Sequence, residues 1–191
     1  SISGVPEPIL SDHIKHDLQF FLKEWSLKSD LQKSGVRPRN KLLFHGPPGC
    51  GKTLLAHYLA SRLELDVYTV QFDALISSYL GETGSNIRKL FSFASSNRCV
   101  LFIDEIDAVA KLRDDKSDLG ELKRVVITLL QNIDTFGSEC LLVAATNHAH
   151  VLDPAIWRRF DIVWEISPPS DSVRLQLLER YFEISKLPAF K

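Results

Sequence analysis

The chain has 191 residues, of which 45% are apolar and 25% charged, with a net charge of −1. These proportions describe one folded domain, or one domain with an incomplete second, able to bury about 70% of its unfolded surface without staples. The near-zero charge offers no footprint for nucleic acid or an anionic membrane, no apolar run approaches the ~20 residues of a membrane helix, and the N-terminus lacks a signal-peptide pattern.

Ile14, Leu18, Phe21, Leu22 and Trp25 recur at helical spacing between Asp12 and Trp25, with Asp12 as the candidate cap and Trp25 as a core anchor. The segment Lys28–Asn40 reads as a loop, most clearly over Gly35–Asn40. Leu42–Phe44 reads as the first strand and Lys52–Leu63 as a helix. Between them stands Gly46-Pro47-Pro48-Gly49-Cys50-Gly51-Lys52-Thr53, which fits G-x-x-x-x-G-K-[ST]. Strand, glycine-rich loop and helix form the context a phosphate-binding loop requires. Its backbone N–H groups and the helix N-terminus cradle anionic phosphates. Lys52 is placed to reach the β- and γ-phosphates and Thr53 to hold Mg²⁺. The candidate nucleotide-binding set runs from Gly46 through Leu54 and includes Asp104. Cys50 has no catalytic demand placed on it, but a thiol reagent there would block the loop.

Val67–Phe72 reads as the second strand. Ser85–Ser95 reads as a helix, with Ile87, Leu90, Phe91 and Ala94 on one face. Cys99–Ile103 is an almost purely apolar strand. Lys111–Leu119 is a charged stretch expected to be a solvated mobile loop, and Gly120–Phe136 contains a helix. Leu141–Ala145 and Ile162–Ile166 are two further strands, with Trp157 and Trp164 expected to pack near the last one, and Asp171–Ile184 is a closing helix. Strands alternating with helices predict a parallel sheet covered on both faces, and the near-continuous apolar strands fit burial on both sides. Cys99 and Cys140 are expected as small core residues. The three cysteines, lacking C-x-x-C spacing, argue against a disulfide framework or zinc site and for a reducing cytoplasmic compartment. His148 and His150, without a third ligand, read as solvated loop residues.

Val100-Leu101-Phe102-Ile103-Asp104-Glu105 delivers two adjacent carboxylates at the C-terminal end of a strand, the end that faces the ligand crevice in open α/β sheets. Asp104 can orient the shell of a Mg²⁺ ion. Glu105 can polarise a water for in-line attack on a γ-phosphate.

With these residues in hand, the chain resembles the AAA+ ATPases, and within them the protein-remodelling AAA group, from about Ile9 to Glu183. Gly46–Thr53 is similar to Walker A and Val100–Asp107 to Walker B. Ala144-Ala145-Thr146-Asn147 resembles sensor 1, and Leu152–Asp161 resembles the segment that carries arginine fingers. The resemblance implies a P-loop NTPase fold, a three-layer αβα sandwich around a five-stranded parallel sheet. It divides the chain into an N-terminal linker and helix (1–40), the AAA+ large subdomain (41–170) and the start of a helical lid (171–191). It implies ATP and Mg²⁺ as ligands and a catalytic set of Lys52, Glu105, Asn147, Arg158 and Arg159. Asn147 would contact the γ-phosphate or the attacking water, and an arginine would enter a neighbouring subunit's site. Arg158 and Arg159 are adjacent here, whereas the commoner form separates two arginines with Pro-Gly, so the principal finger stays open between them. Asp134-Thr135-Phe136 resembles an intersubunit signalling motif with Thr in place of Gly, and reads equally as a helix end with a core Phe.

Tyr79-Leu80-Gly81 matches the aromatic-hydrophobic-glycine pattern of loops that face the pore of such rings. The expected assembly is a homo-hexamer that hydrolyses ATP to unfold, translocate or remodel a protein substrate gripped by Tyr79. The chain opens with Ser1 and contains no Met, as expected of a fragment whose lid is missing or only begun, with weak ring formation and low activity. Two alternatives remain: a nucleic-acid-linked motor, which the neutral charge and Tyr79-Leu80-Gly81 argue against, and a slow ATP-dependent switch or scaffold.

Overall fold

Buried Ile14, Leu18, Phe21 and Trp25 lie at four- and three-residue intervals along one stripe of α1 (Asp12–Ser26), which is why this segment is an amphipathic helix docked on a sheet. The computed structural model describes residues 5–77, 83–111 and 119–185. The N-cap of α1 is Ser11, not Asp12; Asp12 is the first helical residue, where its charge favours the positive end of the helix dipole. The expected loop over Lys28–Asn40 contains a further short helix, α2 (Lys28–Lys33). Lys28 holds it to the body of the domain: its ammonium lies over the Trp25 ring at 4.9 Å and donates to Glu139 Oε2 at 2.9 Å. The Lys28–Glu139 pair, 111 residues apart, carries no local sequence signal.

The strands are β1 (Lys41–His45), β2 (Asp66–Gln71), β3 (Cys99–Asp104), β4 (Leu141–Thr146) and β5 (Ile162–Glu165). They form one all-parallel sheet in the order β2-β3-β4-β1-β5. The intervening helices are α3 (Lys52–Arg62), α4 (Phe72–Ser77), α5 (Thr83–Ser96), α6 (Ala108–Lys111), α7 (Leu119–Asp134) and α8 (Pro154–Trp157), and α9 (Asp171–Ser185) follows β5. The fold is an α/β P-loop NTPase-type sandwich of three layers, as expected.

Strand alternation sorts the core into two faces. Leu43, Leu101, Ile103, Leu142 and Ala144 pack against the helices from α4 to α8. Leu42, Phe44, Phe102, Val143 and Trp164 pack against α1 and α3. Phe44 stacks on Trp164 at 5.5 Å, and Phe21 meets the same indole edge-on at 6.3 Å. Cys99 and Cys140 are buried in the first of these faces, and Trp157 packs against it.

Two expectations need correction at β2. It starts at Asp66 and ends at Gln71, so Phe72 opens α4 instead of closing the strand. It is also an edge strand whose residues are largely exposed, not a strand buried on both sides. Residues 112–118 of the expected charged loop lie outside the described residues, while Lys111 belongs to α6 and Leu119 to α7.

The chain enters β1 through a part-buried pair. Arg39 Nε donates to both Glu24 oxygens, at 3.1 and 2.8 Å, its Nη2 donates to Glu24 as well, and its backbone N–H adds a bond at 3.2 Å. The Arg39 bonds hold the Glu24 carboxyl below its ordinary value against the opposing effect of burial. A depressed carboxylate pKa contributes stability that is full above the unfolded value of about 4.3 and is lost as pH falls through the folded value. Glu24→Gln should therefore cost about 1 kcal/mol at pH 7 and less at pH 3, read by urea unfolding of both proteins. An equal gap at the two pH values would remove the ion pair as its cause.

Candidate functional site

The loop after β1 is shaped by glycines at positions where a side chain would clash or be strained. A Cβ on Gly46 (φ +146°) would fall 2.1 Å from the Ile166 carbonyl oxygen, which follows β5. Gly51 (φ +93°) is the N-cap of α3 in the left-handed region. Pro47, Pro48 and Gly49 are exposed at the tip, Cys50 and Gly51 are half-buried, and Thr53 and Leu54 face solvent at the start of α3. Lys52 is buried, and its ammonium donates to the loop carbonyls of Gly46 at 2.7 Å and Pro47 at 2.8 Å. Burial pushes the Lys52 pKa down, opposed by Cys50 and the carboxylates of Asp104 and Asp107. The loop thus presents a lysine, a helix N-terminus and exposed backbone to one space, an arrangement made for anionic oxygen.

The neighbouring strands bring carboxylates and an amide to the same edge. Register aligns Phe44 and His45 of β1 with Ala145 and Thr146 of β4, and Ile103 of β3 with Ala144 of β4. The ends of all three strands therefore coincide within about one residue. Asp104 closes β3, and its Oδ2 lies 3.4 Å from Thr53 Oγ1 at the start of α3. A carboxylate and a hydroxyl at that spacing are hard oxygen donors of the kind Mg²⁺ takes. Glu105 follows, half-buried, with φ +54°. A left-handed non-glycine residue stores strain, and such strain gathers where a side chain must be aimed. Asn147 is half-buried immediately after β4. Lys52, Thr53, Asp104, Glu105 and Asn147 thus meet at one edge of the sheet.

The arginine pair stands elsewhere. Asp161 N–H donates to the Lys41 carbonyl at 2.9 Å, and Asp161 Oδ2 accepts from the Asn40 and Lys41 N–H groups at 2.9 and 3.0 Å. This fixes the segment after the pair to the start of β1, whereas the phosphate loop leaves its end, about 13 Å away along the strand. Arg159 is occupied within its own chain: Nε donates to Asp134 Oδ2 at 3.1 Å and Nη1 to the Ala155 carbonyl at 2.7 Å. Arg158 is exposed and has no ion pair among the described residues. Phe136 is buried edge-on against Phe91 at 5.7 Å, the helix-end arrangement, and Thr135 does not take positive φ. Tyr79, Leu80 and Gly81 lie outside the described residues.

A surface pocket of about 430 Å³, lined by Gln32, Arg37, Pro38, Phe136 and Ser138, opens at the N-terminal edge of the sheet, away from the phosphate loop. Concavity alone does not mark the chemistry here. Among the described residues no group of three or more His, Cys, Asp or Glu side chains could hold a metal ion, and His148 and His150 are exposed. Likewise no described helix is long and apolar enough to cross a membrane. The sequence reading gave no role to Asp107, Thr146 or the Arg159–Asp134 pair. Asp107 and Thr146 sit inside motifs already singled out, but nothing local signals that they touch.

The chain is 51% identical over 144 residues to the "Uncharacterized AAA family ATPase y4kL" of Sinorhizobium fredii, covering 75% of this chain and 44% of that protein. It is 39% identical over 159 residues to the proteasome-activating nucleotidase of Methanococcus maripaludis, covering 80% of this chain and 39% of the relative. It is 36% identical over 170 residues to the peroxisomal ATPase pex6 of Schizosaccharomyces pombe, covering 84% and 17% respectively. The chain thus spans less than half the length of these curated relatives. The model of the ATPase family associated with various cellular activities (AAA) matches residues 42–168, and the chain belongs to that family.

Proposed function

We propose that this chain is the ATP-hydrolysing core of a protein-remodelling AAA ring, in which each active site is completed by the adjacent subunit. One observation carries the reading: Lys52, Thr53, Asp104, Glu105 and Asn147 converge at one edge of the sheet, while the arginines stand at the other. We take the arginines to serve the phosphate of an adjacent chain, because the segment that carries them is fixed to the start of β1 and the phosphate loop leaves its end. Two copies arranged head to tail bring them together, and a heterologous contact of that kind generates a ring when its rotation closes.

The reaction is phosphoryl transfer to water. The water oxygen forms a bond to the γ-phosphorus as the bond to the β-phosphate bridging oxygen breaks, releasing ADP, and Glu105 accepts the water's proton. Lys52 shifts from the loop carbonyls to the β- and γ-phosphate oxygens. The Asn147 amide hydrogen-bonds phosphate or water without adding repulsive charge. Thr53 and Asp104 would hold Mg²⁺, which supplies charge neutralisation across the β- and γ-phosphates. Arg158 is the group offered to the neighbour, because it is exposed and has no ion pair among the described residues, while Arg159 braces the segment through Asp134 and Ala155.

The protein substrate is proposed from two sources. Tyr79-Leu80-Gly81 has the composition of a pore-facing grip, since a tyrosine gives large contact area with few torsions to freeze. Relatives named for proteasome activation and peroxisomal function also fit work on proteins. Exposed Leu175, Leu178 and Tyr181 on α9 form an apolar face suited to further helices, which supports assigning 171–191 to the start of a lid. Three free cysteines suit a reducing cytoplasm.

ATP turnover per subunit, measured against protein concentration, tests the shared site. It should rise steeply and then saturate; a constant specific rate with a monomeric mass in ATP would contradict it. Glu105→Gln should bind ATP normally and lose at least about 100-fold in kcat, and near wild-type turnover would remove Glu105 from its role. Arg158→Ala should lower kcat by about 10³-fold or more, and Arg159→Ala by clearly less, in steady-state assays at saturating protein. The reverse order would assign the finger to Arg159.

A further inference from the structure

A buried carboxylate with no hydrogen bond to the phosphate loop among the described residues demands a reason, because removing its hydration is costly unless its oxygens are well bonded. Asp107 is such a group: only 1% of its surface is exposed, two residues beyond Glu105. Its Oδ1 accepts the hydroxyl of Thr146, equally buried, at 2.7 Å. The same Thr146 oxygen accepts the backbone N–H of His148 at 3.0 Å. A hydroxyl that accepts from an amide has its single proton free to give away, and here the proton goes to Asp107. The bond from hydroxyl to carboxylate is charge-assisted and short.

The bond between His148 N–H and Thr146 Oγ1 closes a side-chain turn across three residues, and Asn147 is the residue in its middle. The rotamer of Thr146 therefore sets the backbone at Asn147, and Asp107 sets that rotamer. One backbone bond runs in parallel, from Ile106 N–H to the Ala145 carbonyl at 3.0 Å. Together they clamp the turn after β3, which carries Glu105, to the turn after β4, which carries Asn147.

We propose that Asp107 and Thr146 are positioning residues that hold Asn147 in register with Glu105, so that amide and carboxylate address the same water and phosphate. The proposal rests on the role given above to Asn147. A misplacement of about 1 Å between groups that must act together costs about 10²-fold in rate, whereas it leaves uniform binding little changed.

The test is a double-mutant cycle with Thr146→Val and Asn147→Ala, reading kcat and KM for ATP and the affinity for a fluorescent ADP analogue. Thr146→Val, which keeps shape and removes the hydroxyl, should lower kcat about 10- to 100-fold with KM and ADP-analogue affinity within about threefold. Thr146→Ser, which keeps the hydroxyl, should recover most of that loss. In the Asn147→Ala background Thr146→Val should cost nothing further, because both act through one group. A role confined to stability would instead lower Tm and act independently of Asn147. Should Thr146→Val fail to fold, Asp107→Asn carries the same cycle, with a severalfold loss of kcat in the wild-type background and none beside Asn147→Ala. Losses that multiply in full, or Thr146→Ser as slow as Thr146→Val, would overturn the proposal while leaving Asn147 in place. Asn147→Ala at wild-type rate, with Glu105→Gln inactive, would overturn both the role of Asn147 and the clamp built on it.

Discussion

Parallel pairing of β1 with β4 on one side and β5 on the other forces every turn that leaves a strand onto one edge of the sheet, and every segment that enters a strand onto the opposite edge. The chemistry divides along this line. The phosphate loop leaves β1, the carboxylates leave β3 and the amide leaves β4, so these groups share an edge. The arginine segment enters β5 and is stitched by Asp161 to the start of β1. Under the proposed mechanism, hydrolysis that needs both sets is an intermolecular event, and assembly becomes part of catalysis.

The two edges are nonetheless joined within the chain. His45, the last residue of β1, meets the Trp157 ring edge-on at 5.2 Å, and each precedes a working element, Gly46 on one side and Arg158 on the other. Gly46 is itself pressed against the Ile166 carbonyl after β5. Displacing the phosphate loop would push on both β5 and α8. The packed core has little free volume to absorb such a push.

Much of this was legible in the sequence where chemistry is local. Gly46–Thr53 declares itself by composition, and the apolar strand running into Asp104-Glu105 declares its end. Helical stripes such as Ile87, Phe91 and Ala94 sit where their spacing puts them. What the sequence concealed is long-range pairing. The helix over Lys28–Lys33 depends on Trp25 and Glu139, the latter 111 residues away in sequence. Exposure of β2 follows from its place at the edge of the sheet, which no window of sequence contains. The adjacent arginines look equivalent in sequence. The Asp134 carboxylate, 25 residues upstream of Arg159, and the Ala155 carbonyl distinguish them by holding Arg159. The strained backbone of Glu105 is invisible too, since a glutamate gives no hint of positive φ.

The most direct test of a site shared between subunits is complementation between two inactive chains. Arg158→Ala keeps the intact edge that holds nucleotide, and Glu105→Gln keeps the intact arginine. Mixed at saturating concentration, they should hydrolyse ATP well above the sum of the separate rates, because some interfaces pair the sound edge of one with the arginine of the other. A mixture no faster than that sum, from chains shown to co-assemble, would contradict the account.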